Sequence, residues 1–444
     1  MKAIVFTFVS VFVLIVSIDN LALAQPFQSY ADENEYTKTR AGVRIGQPDS
    51  IRQMWSVYTS LPLNQTNSQT AALSFFSAFS SSSELEGLLS MFKNIRSSPP
   101  PQTRSGKHPE IQEILALSET PERSEVFQKL LERVGAEEAQ EALVHSGLPP
   151  TGETHLIQHL VGGYLYETEG SAGIVKCKLY FQGACYHDFI ILLLSREGEN
   201  ALTDAMDECK KFGQSTANIC SHGIGHGFLV WYGYGRLVEA AEGCDRMAEK
   251  VENFSMTHCL EGVFMENQWA LHAGGESPDQ WLSETDPYYP CSDPRIKNEW
   301  LLGCWTNQGA VMFHFFKGNI REATDACRGL PNPDYRRSCL ESLVRQIHPY
   351  TENKVLSAIS MCTEMGEWKN QCLEELAVSD YGQGGRDLPY RICESISAAH
   401  KDACYERLSR IIAYFAQSRE DVVRSCSLIF EKKYREQCTA FSGF

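Results

Sequence analysis

Apolar positions are spread very unevenly along this 444-residue chain. Residues 4–18 are almost continuously apolar, with Lys2 before them and Ala22-Leu23-Ala24 after them. Such a run is short for a membrane span, and with those flanks it predicts a secretory signal peptide over residues 1–24. An uncleaved anchor is the alternative. No later stretch is apolar enough to cross a bilayer. Over residues 25–108 the periodicity disappears into Ser, Gln, Pro and Thr, including Ser80-Ser81-Ser82-Ser83 and Pro99-Pro100-Pro101. This predicts a low-complexity, largely disordered leader, with one amphipathic helix around Glu84 to Ile95. From Pro109 the pattern turns helical: Ile111, Ile114 and Leu115, then Phe127, Leu130, Leu131 and Val134, recur at three- and four-residue spacings. Gly147 and Pro149-Pro150 close that pair of helices, and a further helix starts near His155. Residues 109–165 form a helical entry module on this reading.

From residue 166 to residue 444 the cysteines set the rhythm. All 16 fall into close pairs: 177/185, 209/220, 244/259, 291/304, 327/339, 362/372, 393/404 and 426/438. The second member recurs after 35, 39, 45, 35, 33, 32 and 34 residues, a period typical of stacked helical hairpins. Two residues eleven apart on one helix lie about 16 Å apart. A disulfide needs Cα atoms within about 7 Å. Each pair must then bridge two antiparallel elements across a turn, and Gly213, Pro331-Asn332-Pro333 and Gly366 supply the turn chemistry. The other wiring, second cysteine to the first of the next pair, leaves Cys177 and Cys438 without partners. The predicted fold is therefore all-α: a disulfide-stapled helical-hairpin repeat, or α-solenoid, of eight units.

The units resemble Sel1-like and tetratricopeptide-type α-hairpin repeats, of the cysteine-rich kind that bacteria secrete. The likeness rests on Leu160-Val161-Gly162-Gly163-Tyr164, followed by Gly170, and later units lack that element. It implies a concave face for an unknown protein or small-molecule ligand, and no catalytic residues.

The formal charge of −16 argues against nucleic acid as a partner, and no polybasic segment addresses a membrane surface. An even cysteine count behind a signal peptide points to an oxidising place of work: secreted, periplasmic or cell-surface.

The candidate chemistry is histidine. His155 and His159 are four apart, as are His222 and His226, so each pair shares one helix face. Gly223, Gly225 and Gly227 interleave the second pair, at a propensity cost of about 1 kcal/mol each, which predicts close helix packing. His187, His222 and Glu261 each stand two residues after the second cysteine of their unit. Equivalent slots in neighbouring units lie roughly 8–10 Å apart and could converge on one ion. The predicted metal ligands are His155, His159, His187, His222, His226 and Glu261, with Zn, Fe or Cu as the transition metal. Asp188 and Glu266 are candidates for orienting ligands or for acid/base work. His400 sits in a slot that carries Tyr335, Trp368 and Tyr434 elsewhere, which predicts packing. His187-Asp188 resembles the dyad of HD-type metal phosphohydrolases, but only the dyad matches. No HExxH, Gly-x-Ser-x-Gly or phosphate-binding loop occurs. The long spacing between Cys259 and Cys304 holds Trp281, Tyr288, Tyr289 and Trp300, an insertion placed to act as a lid or ligand rim. Two functions follow: a metal-binding protein, with enzyme activity left open, or a structural protein-interaction scaffold in which these residues only pack.

Overall fold

The computed structural model describes residues 108–441, apart from 118–119, 147, 149–151, 274–278, 347–351, 383–386 and 417–418. The expected signal peptide, the leader and its helix near Glu84 lie outside the described residues.

Among the described residues the chain is all-α, with eighteen α-helices and no strand. The entry module contributes α1 (Pro109–Ala116), α2 (Thr120–Val134), α3 (Ala136–Val144) and α4 (Gly152–Glu169). Ile111, Ile114, Phe127, Leu130 and Leu131 are buried there, as their spacing requires. A 3-10 segment, Gly170–Lys176, then leads to α5 (Tyr180–Glu197). The following helices come in pairs: α6 (Asn200–Lys210) with α7 (Gln214–Tyr232), and α8 (Leu237–Lys250) with α9 (Met256–Ala273). α10 (Leu301–Phe315) follows the long insertion, and α11 (Ile320–Arg328) pairs with α12 (Pro333–Gln346). The last pairs are α13 (Glu352–Glu364) with α14 (Lys369–Gly382), α15 (Leu388–Ser395) with α16 (Ala398–Phe415), and α17 (Arg419–Cys426) with α18 (Lys432–Ala440).

Eight disulfides close the eight expected pairs, with Cα–Cα distances from 5.4 to 6.5 Å, and no cysteine is free. Each closes a loop of 8 to 15 residues, worth roughly 2–3 kcal/mol in the chain-entropy account. Two units depart from a helix–helix hairpin. Cys177 follows a 3-10 segment, and Cys291 lies in a run of turns, so in both the first arm is not an α-helix.

The second helix of each unit packs on the second helix of the next, from α5 through α7, α9, α10, α12, α14 and α16 to α18, while α4 packs on α5. The two arms differ in character. α8 is amphipathic, burying Leu237, Ala240, Ala241, Cys244 and Met247 along one stripe. α7 is buried on most of its circumference. That burial depends on glycine. A Cβ at Gly225 would sit 1.9 Å from the Cys259 carbonyl oxygen on α9, and one at Gly262 would sit 2.1 Å from the His222 carbonyl oxygen on α7. The two helices meet backbone to backbone at this pair. Gly223 and Gly227 face the opposite neighbour, α5, where the nearest atoms are Ile190 and Leu194 side-chain carbons at 3.1 and 3.3 Å. α7 is thus thinned on both flanks, which draws the His-bearing helices together.

Candidate metal centre

Five histidines from α4, α5 and α7 meet in one cluster. His155, His159 and His187 form one group that could hold a metal ion, and His187, His222 and His226 form another. Within each group the potential ligand atoms lie within 4.8 Å of one another. His187 is the common member: its ring lies 5.0–5.4 Å from the other four ring centres. His187 and His226 are buried, while His155, His159 and His222 keep partial exposure.

Hydrogen bonds set the tautomer of four of the five rings. His159 Nδ1 donates to Asp188 Oδ1 at 2.7 Å, and His226 Nδ1 donates to Glu266 Oε2 at 2.9 Å. His155 Nδ1 donates to the Phe181 carbonyl at 2.7 Å. His222 bonds the backbone of His258, an interaction that favours its charged form and so is donation to the carbonyl. With Nδ1 carrying the proton, Nε2 of each neutral ring presents a lone pair. Yet His155 Nε2 faces His159 Nε2 at 3.0 Å, and His222 Nε2 faces His226 Nε2 at 3.0 Å. Two lone pairs at that distance repel unless something positive lies between them.

Burial disfavours protonation of His155, His187 and His222. Burial, helped by His159, lowers the His155 pKa from 6.5 to about 3. His187 and His222 fall well below 6.5, first through burial and then through the neighbouring histidines. Neutral imidazole is the metal-binding form. His187 Nε2 is buried and has no hydrogen-bond partner among the described residues, an unpaid desolvation unless a ligand bond takes it up.

Local structure explains how the second atoms arrive. Phe181, Gln182 and Gly183 at the start of α5 all have left-handed backbone, with φ of 49°, 60° and 71°. For the two side-chain-bearing residues this costs about 1–2 kcal/mol each. The turn is held by Cys177–Cys185 and presents the Phe181 carbonyl to His155. On α9, His258 supplies a carbonyl and Glu266, two turns on, a carboxylate. Tyr234 donates to the other oxygen of Glu266. Trp281 of the insertion donates its indole N–H to Gly235, beside Tyr234, and is clamped by Asn267. Trp281 is thus held beside the residues adjoining Glu266 and Tyr234, while Tyr288 and Tyr289 pack toward Ala326 and Gln308.

Glu261 requires a correction to the shared-slot expectation. It belongs to neither histidine group among the described residues. Glu261 and Glu266 are five residues apart, hence about 140° apart around α9. With Glu266 facing His226, Glu261 is turned to the other side. There burial raises its pKa to about 7, opposed by Arg345 and assisted by Glu341, both on α12. This second polar centre also pairs Arg407 with Glu341 and Glu375, Arg345 with Glu375, and His400 with Glu374. His400 therefore has a carboxylate hydrogen-bond partner, Glu374, where packing was expected.

Two outcomes follow here. Asp188→Ala should weaken metal affinity by about 10–100-fold, and Asp188→Asn less, because the amide oxygen still accepts from His159; competition against a chelator measures both. For Glu261, the folded pKa of about 7 lies above the unfolded value of 4.5, so stability falls as pH rises from 4.5 through 7 and stays low beyond it. Glu261→Gln should then stabilise the protein by on the order of 1–3 kcal/mol at pH 8 and by almost nothing at pH 4, read from urea melts at both pH values.

No family model, no curated protein and no solved structure matches this chain.

Proposed function

We propose that this protein binds a transition-metal ion in the histidine cluster of His155, His159, His187, His222 and His226, where either group of three that contains His187 can ligate it, and works in an oxidising compartment outside the cytoplasm. The observation that carries the reading is the pair of 3.0 Å Nε2···Nε2 contacts between rings whose other nitrogen already donates to oxygen. A shared proton could relieve one such contact, but it joins only two nitrogens and leaves His187 Nε2 orphaned. A metal ion in either group takes up three nitrogens at once, His187 among them. Nitrogen-only coordination suits Fe, Cu or Zn. The carboxylates on His159 and His226 raise the basicity of those rings and fix their orientation.

The location rests on eight disulfides and the apolar N-terminal run; among the described residues no helix is long and apolar enough to cross a membrane. We place the paired units with Sel1-like α-hairpin repeats on their period and stapling. The scaffold reading draws support from the C-terminal units, where Phe430 is 69% exposed beside Leu428, and it can coexist with the metal site.

Elemental analysis of the disulfide-intact protein tests the reading. We expect about one equivalent of a single transition metal, and a melting temperature that falls when a chelator removes it, since a ligand at 100 times its Kd stabilises by about 2.7 kcal/mol. Less than a tenth of an equivalent after reconstitution with Zn, Cu and Fe in turn would end the proposal.

A further inference from the structure

The histidine cluster is built twice over. In each i, i+4 pair one ring donates to a backbone carbonyl, His155 to Phe181 and His222 to His258. The other ring of each pair donates to a carboxylate, His159 to Asp188 and His226 to Glu266. Each pair also holds its own Nε2···Nε2 contact at 3.0 Å. Among the described residues the rings of one pair make no contact with those of the other. Each meets only its pair-mate and His187.

His187 stands between the pairs. Neither of its ring nitrogens has a hydrogen-bond partner among the described residues, and Nε2 is fully buried. An ion held by one group of three relieves the close nitrogens of that pair only. The other pair is left with two lone pairs facing each other. The two nitrogens of an imidazole point away from each other, so one ring can ligate two ions. With metal–nitrogen bonds of about 2.0–2.1 Å, those ions lie roughly 6 Å apart. Two divalent ions that close repel strongly. The negative groups are distributed to match, with Asp188 behind one group and Glu266 behind the other. The His187 ring supplies a third negative charge once the second ion displaces its remaining ring proton to solvent.

Resting on the metal reading above, we propose that the cluster is a two-ion centre. His155, His159 and His187 ligate one ion, His187, His222 and His226 ligate the other, and the His187 ring bridges them. The second ion enters against the charge of the first and is the more weakly held.

Titration of the full disulfide-bonded chain with Cu(II), followed by equilibrium dialysis and electron paramagnetic resonance, tests this. No cysteine is free to capture or reduce the copper. We expect the first equivalent to give a mononuclear signal. The second should bring the total to two equivalents, quench that signal by coupling through the ring and add a half-field transition. His222→Ala/His226→Ala and His155→Ala/His159→Ala should each stop at one equivalent with an uncoupled signal, and His187→Ala should show no coupling at any copper level. Saturation of the parent chain at one equivalent, or two equivalents with additive signals and no half-field transition, would overturn the inference and leave metal binding intact. Failure to bind any copper would remove both readings.

Discussion

Replacing His187 by alanine is expected to cost at least about 100-fold in metal affinity, more than loss of any residue that only orients a ligand. The reason is position. His187 is the one ring shared by both histidine groups, so its removal takes a donor from each. It is also the one cluster nitrogen that is fully buried with no hydrogen-bond partner among the described residues. Chelator competition on the purified variant measures the loss. Two controls separate ligation from general damage. His400→Ala removes a histidine bonded to Glu374, outside the cluster, and should leave affinity unchanged. His258→Ala should also leave it nearly unchanged, because His258 acts through its carbonyl, which alanine retains. If His187→Ala binds metal as tightly as the parent while folding normally, metal binding through the groups that share His187 is wrong.

Gly225→Ala is expected to destabilise the fold by more than about 2 kcal/mol, although alanine is the better helix former by about 1 kcal/mol. Its Cβ would lie 1.9 Å from the Cys259 carbonyl oxygen and 2.8 Å from Val263 N. Both obstacles are backbone, and Cys259 is further tethered through its disulfide to Cys244, so α9 would have to move as a whole. That shift also withdraws the His258 carbonyl and Glu266 from His222 and His226, so metal affinity should fall with stability. Gly227→Ala makes the contrast. Its nearest atom would be the Leu194 Cδ2 methyl at 3.3 Å, which can rotate aside, so the helix-propensity gain should roughly cancel the crowding. Chemical denaturation of both variants, with and without metal, decides the matter; equal stabilities would show that the α7–α9 contact is looser than described.

Much of this was legible along the chain. A disulfide tolerates only short Cα–Cα distances, so cysteine pairs 8 to 15 residues apart dictate a bend between them, and the all-α fold with its eight pairings follows from spacing. The i, i+4 rule placed His155 with His159 and His222 with His226 on common faces, and it bore on which helix turns meet. Asp188 and Glu266 were candidate orienting or acid/base residues, although they stand 29 and 40 residues from the histidines they hold.

Other features depend on atoms that no sequence period encodes. The slot two residues after each cysteine repeats, but the rotation of each helix about its own axis is set by packing. α9 settles on α7 through Gly225 and Gly262, which turns Glu266 toward His226 and Glu261 toward Arg345. The carbonyls of Phe181 and His258 carry no side-chain signature at all, although the three left-handed residues that aim the first are held beside a disulfide. The sequence by itself determined the helical class, the disulfide pairing and the two histidine faces, because those follow from local covalent reach and helix period. Only the tertiary structure decided that the two histidine pairs meet at His187 and that Glu261 lies outside both groups, because convergence depends on how closely and at what rotation one helix lies against the next.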